Sequence, residues 1–139
     1  MAVIKKMHST CLFCNLPAER ILLSNEFGLI VKDAYPISRG HTLIISKLHV
    51  SSFFELSEIQ QLELIKLIEM GKGLIQKTLA PDAYNIGIND GAAAGQTIPH
   101  LHIHLIPRYI NDQPDPRGGV RWIFPEKAKY WEFDSKPND

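Results

Sequence analysis

The stretch Gly95-Gln96-Thr97-Ile98-Pro99-His100-Leu101-His102-Ile103-His104-Leu105-Ile106-Pro107-Arg108 decides how this chain is read. From His100 to Ile106 histidine and apolar residues alternate, and a period of two is the signature of a β-strand. Leu101, Ile103 and Leu105 then point to one face and enter a core. His100, His102 and His104 point to the other, roughly 6.5–7 Å apart along the strand. Three of the six histidines fall on consecutive same-face positions, which argues against an amphipathic strand whose polar residues merely happen to be histidine. A row of imidazoles suits two tasks: surrounding an anionic group, or sharing a metal as in three-histidine zinc enzymes. Pro107 is expected to stop the strand.

The residues just upstream favour the anion. Gly91-Ala92-Ala93-Ala94-Gly95-Gln96-Thr97 is built of small side chains that let a ligand approach backbone N–H groups. Thr97 offers a hydroxyl and Gln96 an amide to phosphate oxygens. Taken alone, the loop also reads as an ordinary connector between strands.

Working outward, Ile21 to Leu23 and Leu29 to Lys32 read as short strands around an Asn25-Glu26-Phe27-Gly28 turn. AYPISRG (34–40) is a loop, and His41 to Ile45 is a third strand. Ser57 and Gln60 form a capping-box pattern that starts a helix. Apolar residues recur along it at Ile59, Leu62, Ile65, Leu67, Ile68, Leu74 and Ile75, a stripe suited to a core or a subunit interface. Pro81 should end it. Tyr84 to Ile88 reads as a strand, and the tail beyond Pro107 as ordered but irregular. Short strands around one main helix point to an α+β fold with an antiparallel sheet.

Length and composition agree. A chain of 139 residues suits one domain spanning 1–139. Acidic and basic residues balance at 15 each, so no global positive field collects nucleic acid and any phosphate site must be local. No apolar run reaches the length of a membrane span and no signal peptide is visible, so the expectation is a cytoplasmic protein with no membrane partner. In that compartment Cys11-x-x-Cys14 reads as a metal or redox pair rather than a disulfide. His8 is expected to be exposed and without a role.

The span Asn89 to Arg108 resembles the histidine triad (HIT) superfamily of nucleotide hydrolases and transferases. Its His-x-His-x-His signature with apolar x fits His100 to Ile106 at every position, and its upstream Asn-x-Gly and Gly-Gln-Thr match Asn89, Gly91, Gly95, Gln96 and Thr97. The resemblance extends back through Asp33, Gly40 and His41 to Phe13. It is similar to both the zinc-containing bacterial branch and the dinucleoside polyphosphate hydrolase branch. It implies a five-stranded antiparallel sheet with one long helix and short helices, assembled as a homodimer.

The resemblance also implies roles. His102 would attack the α-phosphorus of an adenine nucleotide, a dinucleoside polyphosphate or an adenosine phosphoramidate, and form a nucleotidyl-histidine that water hydrolyses. His104 and His41 would contact phosphate oxygens or assist the leaving group. Thr97, Gln96 and Gly95 would hold the α-phosphate, Asn89 would lie near the ribose or phosphates, and Asp33 would accept from ribose hydroxyls. Leu12, Phe13, Leu16 and Val31 would enclose the base. Cys11, Cys14, His49 and His100 match the metal ligands of the zinc-containing branch, which implies structural zinc. That leaves His102 and His104 for phosphate. Arg117 or Arg121 would reach distal phosphates of a longer substrate, against a competing reading as a surface turn with salt bridges. Trp122, Tyr130 and Trp131 would pack the tail down. Two further readings stand beside the hydrolase: a nucleotide-binding regulatory module with little turnover, and a zinc enzyme whose metal sits on the histidine strand.

Overall fold

A computed structural model describes residues 10–133, so His8 lies outside the described residues. Five strands form one sheet: β1 (Ile21–Ser24), β2 (Gly28–Lys32), β3 (Thr42–Ser46), β4 (Ala83–Gly87) and β5 (His102–Arg108). Their order is β1-β2-β3-β5-β4, and every neighbouring pair is antiparallel. The long helix α1 (Glu58–Gln76) stands between β3 and β4 in the chain. This is the expected α+β arrangement. The described residues group into two compact units, one ending at Arg108 and one running from Tyr109. No described helix is long and apolar enough to cross a membrane.

Local chemistry sets the elements. The β1–β2 turn closes because the Asn25 side-chain oxygen accepts from the Phe27 and Gly28 N–H groups. Helix α1 starts at the Ser57–Gln60 capping box, present in both directions. It ends at Gln76, earlier than Pro81 demands. There the Thr78 N–H tightens onto the Ile75 carbonyl, and Leu79 packs against the core.

The sheet has two covered faces. On one, Ile30, Ile44, Leu101, Ile103 and Leu105 pack against Leu64, Leu67 and Ile75 of α1. Gly28 permits the close approach: a Cβ there would lie 2.6 Å from Leu67 Cδ1. The helix buries Leu64, Leu67, Gly71 and Ile75, whereas Ile59, Leu62 and Ile65 of the anticipated stripe face outward. On the other face Phe13, Val31, Leu43 and Ile45 form a second cluster. The central strand β3 is therefore buried throughout.

Strand β5 corrects two expectations. It begins at His102 rather than His100, and it runs through Pro107 to Arg108. On the β3 side its pairing is complete at Thr42↔Leu105, so the missing N–H of Pro107 interrupts no bond to β3. β3 and β4 begin and end one residue from the expected bounds, within the usual uncertainty of strand ends.

The C-terminal unit is held by its own polar contacts. Arg117 binds Asp115 through two nitrogens, at 3.1 and 3.0 Å, and lies over the Trp131 ring at 4.2 Å. Arg121 donates to the Lys127 carbonyl at 2.8 Å and lies over Tyr130 at 4.9 Å. Trp122 donates to the Arg117 carbonyl. Both guanidiniums thus serve local packing, which favours the surface-turn reading of this segment.

Candidate functional site

The sheet face away from α1 carries His102 and His104. In the register Leu43 stands opposite His104 and Ile45 opposite His102, so the two imidazoles project from the same face as that pair of apolar residues. His102 and His104 line a cavity of about 460 Å³ with Gly95, Thr97, Asn89 and Asp33. Its apolar wall is made by Leu12, Phe13, Leu16 and Leu43. Val31 lies in the core cluster beneath, fully buried. Arg20, Asn15 and Tyr35 also border the cavity. Nothing in their spacing singled them out, since each reads from sequence as an ordinary surface residue.

Hydrogen bonds fix the tautomers of the histidines. His102 Nδ1 donates to the His100 carbonyl at 2.8 Å, which leaves the lone pair on Nε2. The Ile37 N–H donates to His41 Nδ1 at 3.2 Å, so the proton of neutral His41 is on Nε2. That N–H meets His104 Nδ1 at 2.9 Å, and His104 accordingly keeps its own proton on Nε2. The site therefore sets a lone pair on His102 beside an N–H on His104, with ring centroids 5.2 Å apart. An oxyanion of phosphorus fits between a nucleophile and a donor of this kind.

Asp33 is next to this pair. Its Oδ2 is 3.4 Å from His41 Nε2 and 4.0 Å from His104 Nδ1, and its Oδ1 accepts from the Tyr35 N–H at 2.7 Å. Burial pushes His41 below the ordinary histidine range, against the attraction of Asp33. Burial does the same to His104, reinforced by repulsion from His102 and His41 and opposed by Asp33. Both imidazoles are neutral near pH 7.

The upstream loop holds its shape by backbone geometry. Gly91 and Gly95 have φ of 98° and 93°, which only glycine adopts without strain. A Cβ at either would meet no atom within 4 Å, so conformation rather than crowding calls for glycine. Gln96 does not line the cavity. Its amide donates to the Ser51 and Ile98 carbonyls at 2.9 and 3.1 Å and its oxygen accepts from the Gly91 N–H at 2.8 Å.

His100 goes elsewhere. Just outside β5, its Nε2 donates to the Ser46 carbonyl at 2.6 Å, and Nδ1 carries the lone pair. That nitrogen is 3.4 Å from Cys11 Sγ and 3.6 Å from Cys14 Sγ, while Cys14 Sγ is 3.1 Å from His49 Nδ1. The four ligand atoms lie within 4.8 Å of one another. Sulfur and nitrogen bound to one tetrahedral zinc at about 2.3 and 2.0 Å sit roughly 3.5 Å apart. Two thiols and two imidazoles with these separations fit zinc. Asp33, His41 and His104 form a second compact group, but it fits a metal poorly: His41 Nε2 carries a proton as long as Nδ1 accepts from Ile37. The cysteine–histidine group and the cavity share a wall. Phe13, between the cysteines, stacks edge-on against His100 at 5.9 Å and His102 at 5.0 Å.

Comparison with known proteins agrees with this geometry. The profile of the HIT domain matches residues 17–111, and the chain belongs to the HIT family. It is 31% identical to an adenosine 5'-monophosphoramidase of Schizosaccharomyces pombe, over 86% of this chain and 91% of that one. It is 40% identical to a bis(5'-nucleosyl)-tetraphosphatase of the same yeast, over 52% of this chain and 40% of that one. Among solved structures, a zinc-bound histidine triad protein from Mycobacterium smegmatis superimposes with a TM-score of 0.66 at 33% identity, covering 76% of this chain and 84% of that one.

Proposed function

We propose that this chain is a nucleotide hydrolase or nucleotidyl transferase that cleaves at the α-phosphate of adenine nucleotides through an intermediate on His102. The observation that carries the reading is the tautomer pair, a lone pair on His102 Nε2 beside the His104 N–H in one cavity. His102 Nε2 attacks the α-phosphorus, and the bond to the leaving group breaks. The positive charge that develops on the imidazole is stabilised by the His100 carbonyl, which accepts from Nδ1. His104, oriented by His41, donates to a phosphate oxygen or to the leaving group. Thr97 and the Gly95 backbone face the phosphates, Asn89 the ribose or phosphates, and Asp33 accepts from the ribose hydroxyls. Leu12, Phe13 and Leu16 enclose the base. Water then attacks the same phosphorus, the N–P bond breaks, and AMP leaves.

Zinc on Cys11, Cys14, His49 and His100 has a structural role in this reading, because four protein ligands leave no open coordination position. It ties the N-terminal segment to the residues before β5 and after β3. A second copy of the chain is the expected partner. The outward Ile59, Leu62 and Ile65 of α1 and the edge strand β4 with its half-exposed Ile86 supply a surface for it. A monomer in light scattering at micromolar concentration contradicts that part.

The names of the relatives support two substrate classes. AMP release from an adenosine phosphoramidate and from a diadenosine polyphosphate, by wild type and His102→Ala, tests the reading. Turnover of at least one substrate is expected, and the faster one assigns the leaving group. A folded wild type that binds AMP but turns over neither substrate favours the regulatory binding module.

A further inference from the structure

The loop of residues 91 to 95, which reaches the cavity through Gly95, has little to hold it. Residues 91 to 95 are exposed, consist of glycine and alanine, and include two glycines at positive φ. Such a segment buries no side chain and has high conformational entropy in the unfolded chain. Its fixed shape in the fold therefore comes from hydrogen bonds, and two side chains supply those that reach beyond the loop.

Gln96 ties both ends together. Its oxygen takes the Gly91 N–H and its nitrogen serves the Ile98 carbonyl, while the same nitrogen reaches Ser51 across the chain. A primary amide has two N–H donors, and both are engaged. Asp90, immediately before the loop, accepts from the Ser52 hydroxyl at 3.1 Å and the Phe53 N–H at 2.9 Å through one oxygen. The receiving segment is itself fixed. Ser52 and Glu55 form a capping box, and Gln61 of α1 donates to the Phe53 carbonyl at 3.0 Å.

We propose that Asp90 and Gln96 are positioning residues that clamp the phosphate-facing loop to Ser51–Phe53, and that Gln96 acts through this clamp rather than by touching phosphate. The proposal rests on the nucleotidyl-transfer reading above, for which it names the residues that preorganise the α-phosphate site. Asn89 and Asp90 divide the work: the first borders the cavity and the second turns away to the clamp. Because Asp90 and Gln96 bind adjacent residues of one segment, losing either releases the loop.

The test uses three probes on the full chain. Adenosine reads the base and ribose pocket without the phosphate, AMP adds the phosphate, and kcat reads the reacting geometry. In Asp90→Ala and Gln96→Ala, adenosine affinity should stay within about twofold. AMP affinity should weaken, and kcat/KM should fall about tenfold, mostly in kcat. The double variant should cost little more than the worse single one, since both act on one clamp. Asp90→Asn should recover most of the loss, because an amide oxygen still accepts from Ser52 and Phe53. Equal weakening of adenosine and AMP would overturn the proposal in favour of general structural damage. Multiplicative losses near a hundredfold in the double variant would overturn it in favour of independent roles, with Gln96 on the phosphate. If the wild type turns over nothing, the nucleotidyl-transfer reading fails, and the adenosine–AMP comparison still decides the clamp.

Discussion

The two faces of the sheet are built from the same strands and do opposite work. Toward α1, β5 sends Ile103 and Leu105, which with Leu101 and the helix residues form a hydrophobic core. Toward the other face it sends His102 and His104, into a cavity bounded by Asp33 and a loop of small residues. One face is stabilised by burial, at about 25 cal/mol for each Å² of apolar surface removed from water. The other holds His41 and His104, whose own burial pushes them below the ordinary histidine range. The helix face supplies rigidity so that the histidine face can keep its tautomers and spacing.

Substitutions should separate the faces cleanly. The largest effect is expected for His102→Ala. It should lower kcat by roughly three orders of magnitude or more, with only about 1 kcal/mol lost in stability for its one hydrogen bond to the His100 carbonyl. Leu67→Ala on the opposite face should do the reverse. Leu67 is fully buried, so denaturant unfolding should show a loss of about 2–5 kcal/mol while kcat of the folded enzyme stays near wild type. A variant that breaks both properties at once would dissolve the distinction.

Removing zinc should act on the histidine face through the fold. Where free zinc exceeds the dissociation constant by about a thousandfold, its loss costs about 4 kcal/mol. Chelation or Cys14→Ser should therefore lower the melting temperature, and activity should decline slowly along with the fold. Immediate loss of activity with the fold intact would instead assign the metal to the chemistry.

The smallest effect is the pH response. His41 and His104 are held below their ordinary value near 6.5, so the unfolded chain binds more protons than the folded one below that pH. Their contribution to stability is present above about pH 6.5 and is lost as pH falls toward the folded values. Each adds up to about 1.4 kcal/mol per pH unit in that window. With zinc in excess, His104→Gln should flatten the acid limb of the stability curve. An unchanged slope would show that its protonation is not coupled to folding.

What the sequence made legible follows from the range of the forces involved. Alternation along 100–106 is local, and it placed His102, His104 and the core leucines on the correct faces. The Ser57–Gln60 capping box is equally local. Pro107 was misleading because a proline breaks a strand only where its N–H has a partner, and that depends on how far β3 extends. The apolar positions of α1 fall on more than one face, and only the sheet selects Leu64, Leu67, Gly71 and Ile75 as the buried set. Gln96 was legible as an amide beside the loop, but not its bond to the Ser51 carbonyl, because that partner is 45 residues away. The bonds of Asp90 to Ser52 and Phe53 were hidden for the same reason, since these partners are 38 and 37 residues away.

The role of His102 as nucleophile is decided by quenching the enzyme during turnover of a diadenosine polyphosphate or an adenosine phosphoramidate under mildly alkaline conditions and mapping the modified peptide by mass. An acid-labile AMP adduct is expected on the peptide that contains His102, absent from His102→Ala. An adduct on another residue, or turnover with none formed, would contradict that role.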